Sequence, residues 1–531
     1  MAAIWDRLKN GVRRLAADTN MSKEYKDVFD VEGVPAFREF YNLQIFPAKY
    51  VYKGLYNAWH VVNAPTIGNA RATRTLFRLG MAKAVCAELA GLIWSEDADI
   101  HISTNGEDDR LERYVLDTLK ANAFGEKMQE LIEQSAALGG AAIKEHVKVK
   151  RDDDGNPIQG TERIIIDYCM ADQFVPTAWD NAKVTEAVFV SRKAKDGMYW
   201  TRLEWHKWDG ETYIITNDMY GAKQKQTNGQ SQDILGYWYP LDAAEKFLEP
   251  KTEINGLTTS LFAYFRPPMA NNVDDNSPLG ISVYGNAFDT LHALDICYDS
   301  LVREFRLGKK RIIVPAAAIR TIIDPETGEM RRYFDANDEA YEALATDDPD
   351  TLKIQDNSLE LRVEEHVQAL NALLSVLCLQ VGFSASTFSF DMVNGLKTAT
   401  EVISENSKTY KTIRTFQNQI KPAIERVCRN IIELGVLYDM SFEGTRIADL
   451  AKDYEISVVM EDAVLEDSST RIDRAIKLVA NGFISKLTAM TDPKYGIGMT
   501  EDEAEAELQR IKDEGQITAT AFDMFQTGTL E

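Results

Sequence analysis

Apolar side chains recur every three or four positions in the C-terminal half of the chain, which is the period of a helix with one buried face. One such stripe ends at Val381 and a second begins after Thr398. The apolar positions are Val363, Val367, Leu370, Leu374, Leu377 and Val381 in the first, and Val402, Tyr410, Ile413, Phe416, Ile420, Ile424, Val427 and Ile431 in the second. The pattern predicts a helix over 361–381 and a longer one over 398–436, which approaches about 55 Å at ~1.5 Å per residue. Pro422 lies inside the longer helix, so we expect a kink there.

Between these two helices the pattern loses its helical period. Residues 382–397 interleave small side chains with Phe383, Phe388 and Phe390. A monomeric globular protein seldom needs so long a helix after an aromatic loop, whereas an assembly around a central passage can use both.

The rest of the chain predicts an α+β fold. Helical stripes lie at about 70–94, 108–121, 124–138, 284–307, 469–480 and 485–490, with a last helix from a capping box at 500 to 514. Alternating segments predict strands at about 99–103, 143–149, 162–167, 184–192, 199–208, 212–217 and 454–460. The clearest boundary is the Pro- and Asn-rich stretch 267–278.

The helices at 284–307 and 361–381 bracket an insertion of about fifty residues. It contains a strand-like run at 311–315, a hairpin whose turn is 324–328, and a segment at 341–345 that we predict as a short helix. The economical arrangement is a helix pair that carries a small module at its far end.

The first fifty residues look irregular. A short helical stripe of Trp5, Leu8, Val12 and Leu15 is the exception. Such a segment is more typical of packing on a neighbouring surface than of nucleating a domain.

Composition narrows the class of protein. The net charge is −24, which argues against a protein that coats nucleic acid, although a protein that lets nucleic acid slide past fits it, because like charge repels phosphate. The five cysteines are far apart and are predicted to be free, buried thiols in a reducing compartment. No apolar run approaches the ~18 residues of a transmembrane helix, and the N-terminus lacks the plan of a signal peptide.

The sequence contains none of the common catalytic or cofactor-binding signatures. There is no P-loop, no dinucleotide-binding glycine motif and no zinc-protease motif. Asp152 opens a run like a calcium loop, but the sixth and twelfth positions hold Pro157 and Arg163, where Gly and Glu are needed. The six histidines show no ligand spacing, and His292 is predicted to pair with Asp295 on the same helix. We therefore predict no catalytic residue, no metal and no cofactor.

Basic residues form three groups in this acidic chain. They are Lys309, Lys310 and Arg311 at the entry to the insertion; Arg320, Arg331 and Arg332 around its turn; and Lys397, Lys408, Lys411 and Arg414 after the aromatic loop. Each group is either a solvated surface or a set of phosphate or partner contacts.

Four stretches give the chain a family resemblance through their order and spacing. They are 136–142, 278–312, 398–407 and 482–489. Because of these four stretches, the chain resembles the portal proteins of tailed bacteriophages, in the group typical of phages of Gram-positive hosts.

The resemblance implies a non-enzymatic ring, usually a dodecamer, at one capsid vertex of the virion, assembled in the host cytoplasm. Such a ring passes double-stranded DNA during packaging and ejection and docks the terminase and the head–tail adaptor, beside the major capsid and scaffolding proteins. The implied regions are a wing (1–283 with 437–467), a stem (284–308 and 358–381), a clip (309–357), a tunnel loop (382–397), a long wing helix (398–436) and a crown (468–531).

The resemblance also assigns candidate residues. Those facing the channel or DNA are Phe383, Phe388, Phe390, Asn394, Lys397 and Lys408. Those docking a partner at the clip are Arg320, Arg331 and Arg332, with Lys309, Lys310 and Arg311 as a basic group at the lower stem.

Two other classes of function stay open from the residues alone. One is a virion adaptor or scaffold that binds a partner through the aromatic β-rich region. The other is a nucleic-acid-processing enzyme, which would need a metal cluster that the sequence does not reveal.

Overall fold

The computed structural model describes most of the chain. The described residues are 23–65, 71–94, 98–104, 108–152, 156–181, 183–223, 234–245, 247–308, 312–315, 321–323, 330–332, 341–344, 355–356, 360–390, 399–460, 468–491, 499 and 503–512. They form two compact units, one of Met1–Val393 with Lys411–Glu461 and one of Asn394–Tyr410 with Asp462–Glu531. All five cysteines are free, as predicted; Cys86, Cys378 and Cys428 are buried, whereas Cys169 and Cys297 are half-buried.

Helices supply the long elements of the fold. They are α1 (Arg38–Phe40, π-helical Tyr41–Ile45 and Phe46–Tyr52), α2 (Asn57–His60), α3 (Met81–Ile93), α4 (Arg110–Ala121), α5 (Phe124–Leu138), α6 (Phe288–Leu307), α7 (Val363–Val381), α8 (Ala399–Leu437), α9 (Ile447–Leu450), α10 (Ser468–Ala480), α11 (Lys486–Thr491) and α12 (503–512). The 39 residues of α8 make it the long helix that the sequence predicts, and Pro422 lies inside it.

Strands fill the region between α5 and α6 and the insertion after α6. They are β1 (Val61–Pro65), β2 (Arg71–Thr75), β3 (Asp99–Thr104), β4 (Ala141–Lys148), β5 (Arg163–Met170), β6 (Phe174–Asp180), β7 (Lys183–Lys195), β8 (Met198–Asp209), β9 (Thr212–Lys223), β10 (Tyr237–Tyr239), β11 (Lys251–Asn255), β12 (Phe262–Phe265), β13 (Ile312–Pro315), β14 (Thr321–Ile323), β15 (Met330–Arg332), β16 (Tyr341–Leu344), β17 (Gln355–Asp356), β18 (Ser441–Phe442), β19 (Thr445–Arg446) and β20 (Tyr454–Val459).

The largest sheet is antiparallel, with the order β10-β9-β8-β7-β6 and with β11 also paired to β9. A second sheet, β12-β4-β5, contains the hairpin that the Asp-Gly turn predicts, because Ala141 pairs with Met170 and Lys148 with Arg163. β20 pairs with β3, across more than 300 residues of sequence. The α+β class is confirmed.

Two predicted helices are wrong. The helix predicted over 70–94 is confirmed only as α3, because residues 71–75 form β2 and pair with β1, where the β-branched Thr73 and Thr75 favour an extended backbone. The helix predicted at 341–345 is β16, which pairs in parallel with β13. At β16, strand pairing with a neighbour outweighs the local preference. The first fifty residues were predicted to be irregular, but from Arg38 onward they form α1, which continues to Tyr52.

Some predictions fall outside the described residues. These are the stripe from Trp5 to Leu15, the turns at 153–155 and 324–328, and the capping residue at 500. The strands on either side of the turn at 324–328, β14 and β15, pair antiparallel.

Candidate functional site

The helix pair α6 and α7 is the frame of the candidate site. The two helices pack on each other, and Arg362, just before α7, binds Glu304, near the end of α6, through two hydrogen bonds of 3.1 and 3.2 Å. The guanidinium lowers the pKa of the Glu304 carboxyl. Since the C-terminal end of α6 meets the N-terminal end of α7, the helices are antiparallel, and the insertion leaves and rejoins the pair at this end.

Two aspartates one helical turn apart fix the earlier part of α6. Asp299 accepts hydrogen bonds from Arg74 at 2.8 and 2.9 Å. Asp295 accepts one from the Leu79 backbone N–H at 2.8 Å and is 2.8 Å from Nε2 of His60. The helix is therefore anchored to the segment that joins α2 to α3.

The predicted pair of His292 with Asp295 is wrong. The His292 ring stacks on Trp59 instead, with ring centroids 5.1 Å apart. The partners of the aspartates lie more than 200 residues earlier in the chain, so helical spacing gave no sign of them.

Two of the stretches that carry the family resemblance, 136–142 and 278–312, contact each other just before α6 begins. The Val283 backbone N–H donates to the Ala136 carbonyl at 2.9 Å. A Cβ on Gly139 would lie 2.5 Å from the carbonyl oxygen of Gly280, and a Cβ on Gly280 would lie 2.3 Å from that of Gly139. Only glycine at both positions allows this crossing, which sets where α6 starts relative to α5.

The loop after α7 begins with a Schellman motif. Gly382 has φ +93° and donates its N–H to the Cys378 carbonyl, to which Phe383 also donates, at 2.8 Å. The Thr412 hydroxyl of α8 donates to the Gly382 carbonyl at 2.7 Å. A Cβ on Gly382 would lie 2.9 Å from Oγ1 of Thr412, so α8 approaches the start of the loop closely.

The three loop phenylalanines have different environments. Phe383 is 1% exposed, and its ring packs edge-on against Phe388, with centroids 5.6 Å apart. Phe383 is therefore a core residue of this chain, and its candidacy as a channel-facing residue is corrected. The signal for its burial is the apolar residue directly after a helix-terminating glycine, which packs back on the helix in a Schellman motif. Phe388 is half-buried, and Phe390 is 53% exposed.

The far end of the described loop is tied to α7. The Phe390 backbone N–H donates to Oδ1 of Asn371 at 2.9 Å, across 19 residues. Val376 and Leu379 are also exposed on α7, so this part of the chain presents several apolar side chains to solvent. Asn371 was not among the candidate residues predicted from sequence, and its side chain lies half-buried on α7.

Helix α8 packs its apolar stripe into the protein and is anchored by a polar group. Asn430 is fully buried and donates to Glu145 Oε2 at 2.8 Å and to the Ser260 carbonyl at 3.1 Å. Burial raises the pKa of the Glu145 carboxyl to about 8. The candidate Lys408 lies on α8 and is exposed.

Next to Glu145 on β4, Lys144 belongs to a buried ion-pair network. Its Nζ lies 2.8 Å from Glu204 Oε2, while His206 Nε2 lies 3.0 Å from Glu204 Oε1. Burial opposes ionisation of Glu204, but Lys144, His206 and Arg202 outweigh it and hold the pKa well below its usual value. The aromatic strands predicted from sequence thus enclose a polar centre in the sheet region.

The remaining candidates are not all described. Asn394, Lys397, Arg320, Lys309, Lys310 and Arg311 lie outside the described residues. Arg331 and Arg332 lie on β15, where they pair with Ile322 and Thr321 of β14.

The described residues contain no group of three or more His, Cys, Asp or Glu side chains that could hold a metal ion. Among the helices of the described part, none is both long and apolar enough to cross a membrane. What the described part defines is an α+β protein built on a packed helix pair, an inserted β module and one very long helix.

Comparison with known families identifies the class. The family model "Phage portal protein, SPP1 Gp6-like" matches residues 45–520, so the chain belongs to this family of phage portal proteins. It is a component of the virion and of an oligomeric portal assembly. The resemblance drawn from the four sequence stretches is confirmed.

A solved structure is also similar to this chain. It is a chain of "Neck of empty GTA particle computed with C6 symmetry", with 12% identity and a TM-score of 0.36, covering 76% of this chain and 87% of that one. No curated protein matches the chain.

Proposed function

We propose that this portal protein forms a ring of twelve copies at one capsid vertex and that double-stranded DNA passes through its centre during packaging and ejection. The ring is a conduit without catalytic activity, and the terminase supplies nucleotide hydrolysis. The main support for this proposal is that the portal family model matches residues 45–520 of the chain. The antiparallel α6–α7 pair, its inserted β module and the 39-residue α8 support it.

In this proposal each region has a separate task. The α6–α7 pair is the stem, the insertion at 309–357 is the clip, and residues 382–397 are the tunnel loop. The β-rich region and α8 form the wing, with 437–467 included, and 468–531 form the crown. Ring symmetry repeats every contact once per subunit, so weak contacts with DNA act many times over.

The channel surface is assigned to a small set of side chains. Phe390 is the described loop aromatic with the most exposed side chain, and Phe388 belongs to the same set from a half-buried position. Asn394, Lys397 and Lys408 complete the set as donors to phosphate. The acidic balance of the chain repels duplex DNA, so a few lysines give exchangeable contacts rather than tight binding.

The clip is assigned to partner docking. Arg320, Arg331 and Arg332 would bind acidic groups of the terminase and later of the head–tail adaptor, with Lys309, Lys310 and Arg311 at the lower stem. The wing and crown face the major capsid and scaffolding proteins during assembly in the host cytoplasm.

Charge reversal tests the docking role. Arg331→Glu with Arg332→Glu should weaken binding of the purified terminase or adaptor to the ring. Arg446→Glu with Lys452→Glu reverses two exposed charges elsewhere and is the matched control. Equal binding by both variants would show that Arg331 and Arg332 do not form the docking interface.

Native mass measurement tests the assembly. The chain has a mass of 59.8 kDa, and we expect a particle of twelve chains. A monomer under every assembly condition would refute the ring.

A further inference from the structure

Helix α7 carries an outer stripe of exposed side chains in addition to its buried one. The buried stripe includes Leu374, Leu377 and Val381, which pack inside the chain. The outer stripe starts two residues before the helix, and its members recur every three or four positions on another side of α7. They are Leu361, Glu365, Gln368, Ala372, Val376 and Leu379, and all are exposed.

The outer stripe is apolar toward the C-terminal end of α7. Val376 is 45% exposed, and Leu379, about one turn later, is 55% exposed. A helix on the surface of a monomer is normally polar on its outer side, whereas a helix that is apolar on two sides is normally buried on both. Since the chain belongs to an oligomeric assembly, this outer side of α7 is suited to contact a partner.

The end of the α6–α7 pair that carries the insertion has charges of opposite sign on its two helices. Arg303 and Arg306 are exposed near the C-terminal end of α6. Glu364 and Glu365 are exposed in the first turn of α7. One copy of the chain therefore offers a basic surface on one helix and an acidic surface on the other.

Ring symmetry brings these two charged surfaces to the same height. Glu304 binds Arg362 within one copy, so the basic end of α6 and the acidic start of α7 lie side by side. Rotation about a ring axis keeps equivalent residues at equal height, and a head-to-tail contact joins two different surfaces of neighbouring copies. Phe305, which is 50% exposed, and Leu361, which is 37% exposed, add apolar surface at this height.

We propose that neighbouring copies of this chain place the outer stripe of α7 against α6 of the next copy, with Arg303 and Arg306 of one copy facing Glu364 and Glu365 of its neighbour. The partner is a second copy because the same chain supplies both charge signs at matching heights. The complementary charges fix the order and register of the copies, and the apolar side chains are buried beside them. The inference rests on the proposed ring, but not on the passage of DNA through it.

Charge reversal on either helix tests this contact. One variant carries Arg303→Glu with Arg306→Glu, and the other carries Glu364→Lys with Glu365→Lys. Each variant alone places like charges across the contact, so the protein concentration needed for half-assembly should rise at least about tenfold. Native mass spectrometry measures the assembled fraction. Both variants should unfold at the denaturant concentration of the native chain, because the altered side chains are exposed.

Mixing the two variants shows whether the contact is between copies. In an alternating ring, the reversed α6 of one variant meets the reversed α7 of the other, and every remaining contact has its native charges. An equimolar mixture should therefore assemble within about threefold of the native concentration. A charge pairing inside one chain would instead be repaired by reversing all four residues in the same chain, and mixing would have no effect.

Two substitutions on α7 test the apolar part of the stripe. Val376→Asp with Leu379→Asp should raise the concentration for half-assembly at least about tenfold, because the charges would be buried in the contact. Phe247→Asp with Val459→Asp changes two exposed apolar residues elsewhere and should leave assembly unchanged.

Three results would overturn the proposal. They are native-like assembly by either charge variant, a mixture that assembles no better than its components, and native-like assembly by the Val376 and Leu379 variant. The proposed channel is judged separately: a native assembly without a central opening would refute the channel, while the charge and mixing measurements would still report on this contact.

Discussion

The sheet region and the loop after α7 hold their backbones by different means. In the sheet region, Lys144, Glu145 and His206 are buried and their polar atoms are bonded mostly to other buried groups. In the described part of the loop, the side chains of Asn371 and Thr412 each form a hydrogen bond with a backbone group. The first region is costly to alter because removing one buried charge leaves its partner without compensation, whereas each hydrogen bond of the loop contributes only about 0.5–1.5 kcal/mol.

The largest effect is expected in the buried ion-pair network. Glu204→Ala leaves Lys144 buried and without its nearest partner, so we expect a loss of about 3–5 kcal/mol in the free energy of unfolding. Chemical denaturation of the purified variant measures it. Glu253→Ala removes a carboxylate from an exposed pair with Lys251 and should cost at most about 1 kcal/mol. Similar losses for the two variants would contradict a costly buried network.

Glu145 lies in the same sheet region, and its carboxyl should make the free energy of unfolding depend on pH. Burial raises the pKa of its carboxyl from 4.5 to about 8, so the unfolded chain loses this proton at lower pH than the folded chain. The group therefore lowers the free energy of unfolding progressively as pH rises from about 4.5 to about 8. Glu145→Gln, which can still accept from Asn430, should be more stable than the native chain by roughly 4 kcal/mol at about pH 8, with little difference near pH 4.5. An equal difference at both pH values would show that this carboxyl does not titrate as described.

At the loop, a smaller effect is expected from Gly382→Ala. The left-handed backbone disfavours a side chain, and the new Cβ would press on Thr412, so we expect a loss of about 2 kcal/mol in unfolding free energy. Gly444→Ala is a matched control, because Gly444 has φ +79° and open space around its Cβ position, and it should cost about 1 kcal/mol. If the two variants lose the same stability, the approach of α8 to the loop contributes nothing.

The smallest effect on stability is expected from Phe390→Ala, which should instead affect function. Its side chain is mostly exposed, so the free energy of unfolding should change by less than about 0.5 kcal/mol and rings should still assemble. DNA packaging or retention should fall. Val459→Ala, at another exposed apolar site, should package normally. Normal packaging by Phe390→Ala would show that the Phe390 side chain does not contact DNA in the channel.

The long helices could be predicted from sequence because a one-sided apolar stripe is a local signal that packing reinforces. The positions of α7 and α8 follow from it. The anchoring of α6 could not be predicted, because Asp295 and Asp299 bind residues more than 200 positions away. Likewise, β16 was predicted as a helix because its pairing with β13 is invisible locally.

The loop was predicted as a loop, but the environments of its aromatic residues were not all foreseen. Composition alone does not separate Phe383, which closes a helix end, from Phe390, which is exposed. The Gly-Phe step after α7 carries the information, since an apolar residue after a left-handed glycine packs back on the helix. Asn371 gave no signal, because its partner is a backbone N–H of a loop without regular structure.

An image of the purified particle along its axis tests the central claim most directly. We expect a closed ring of twelve copies around an open centre, with the α6–α7 pairs arranged about that centre. A compact particle without a central opening would contradict it and would favour an adaptor or scaffold.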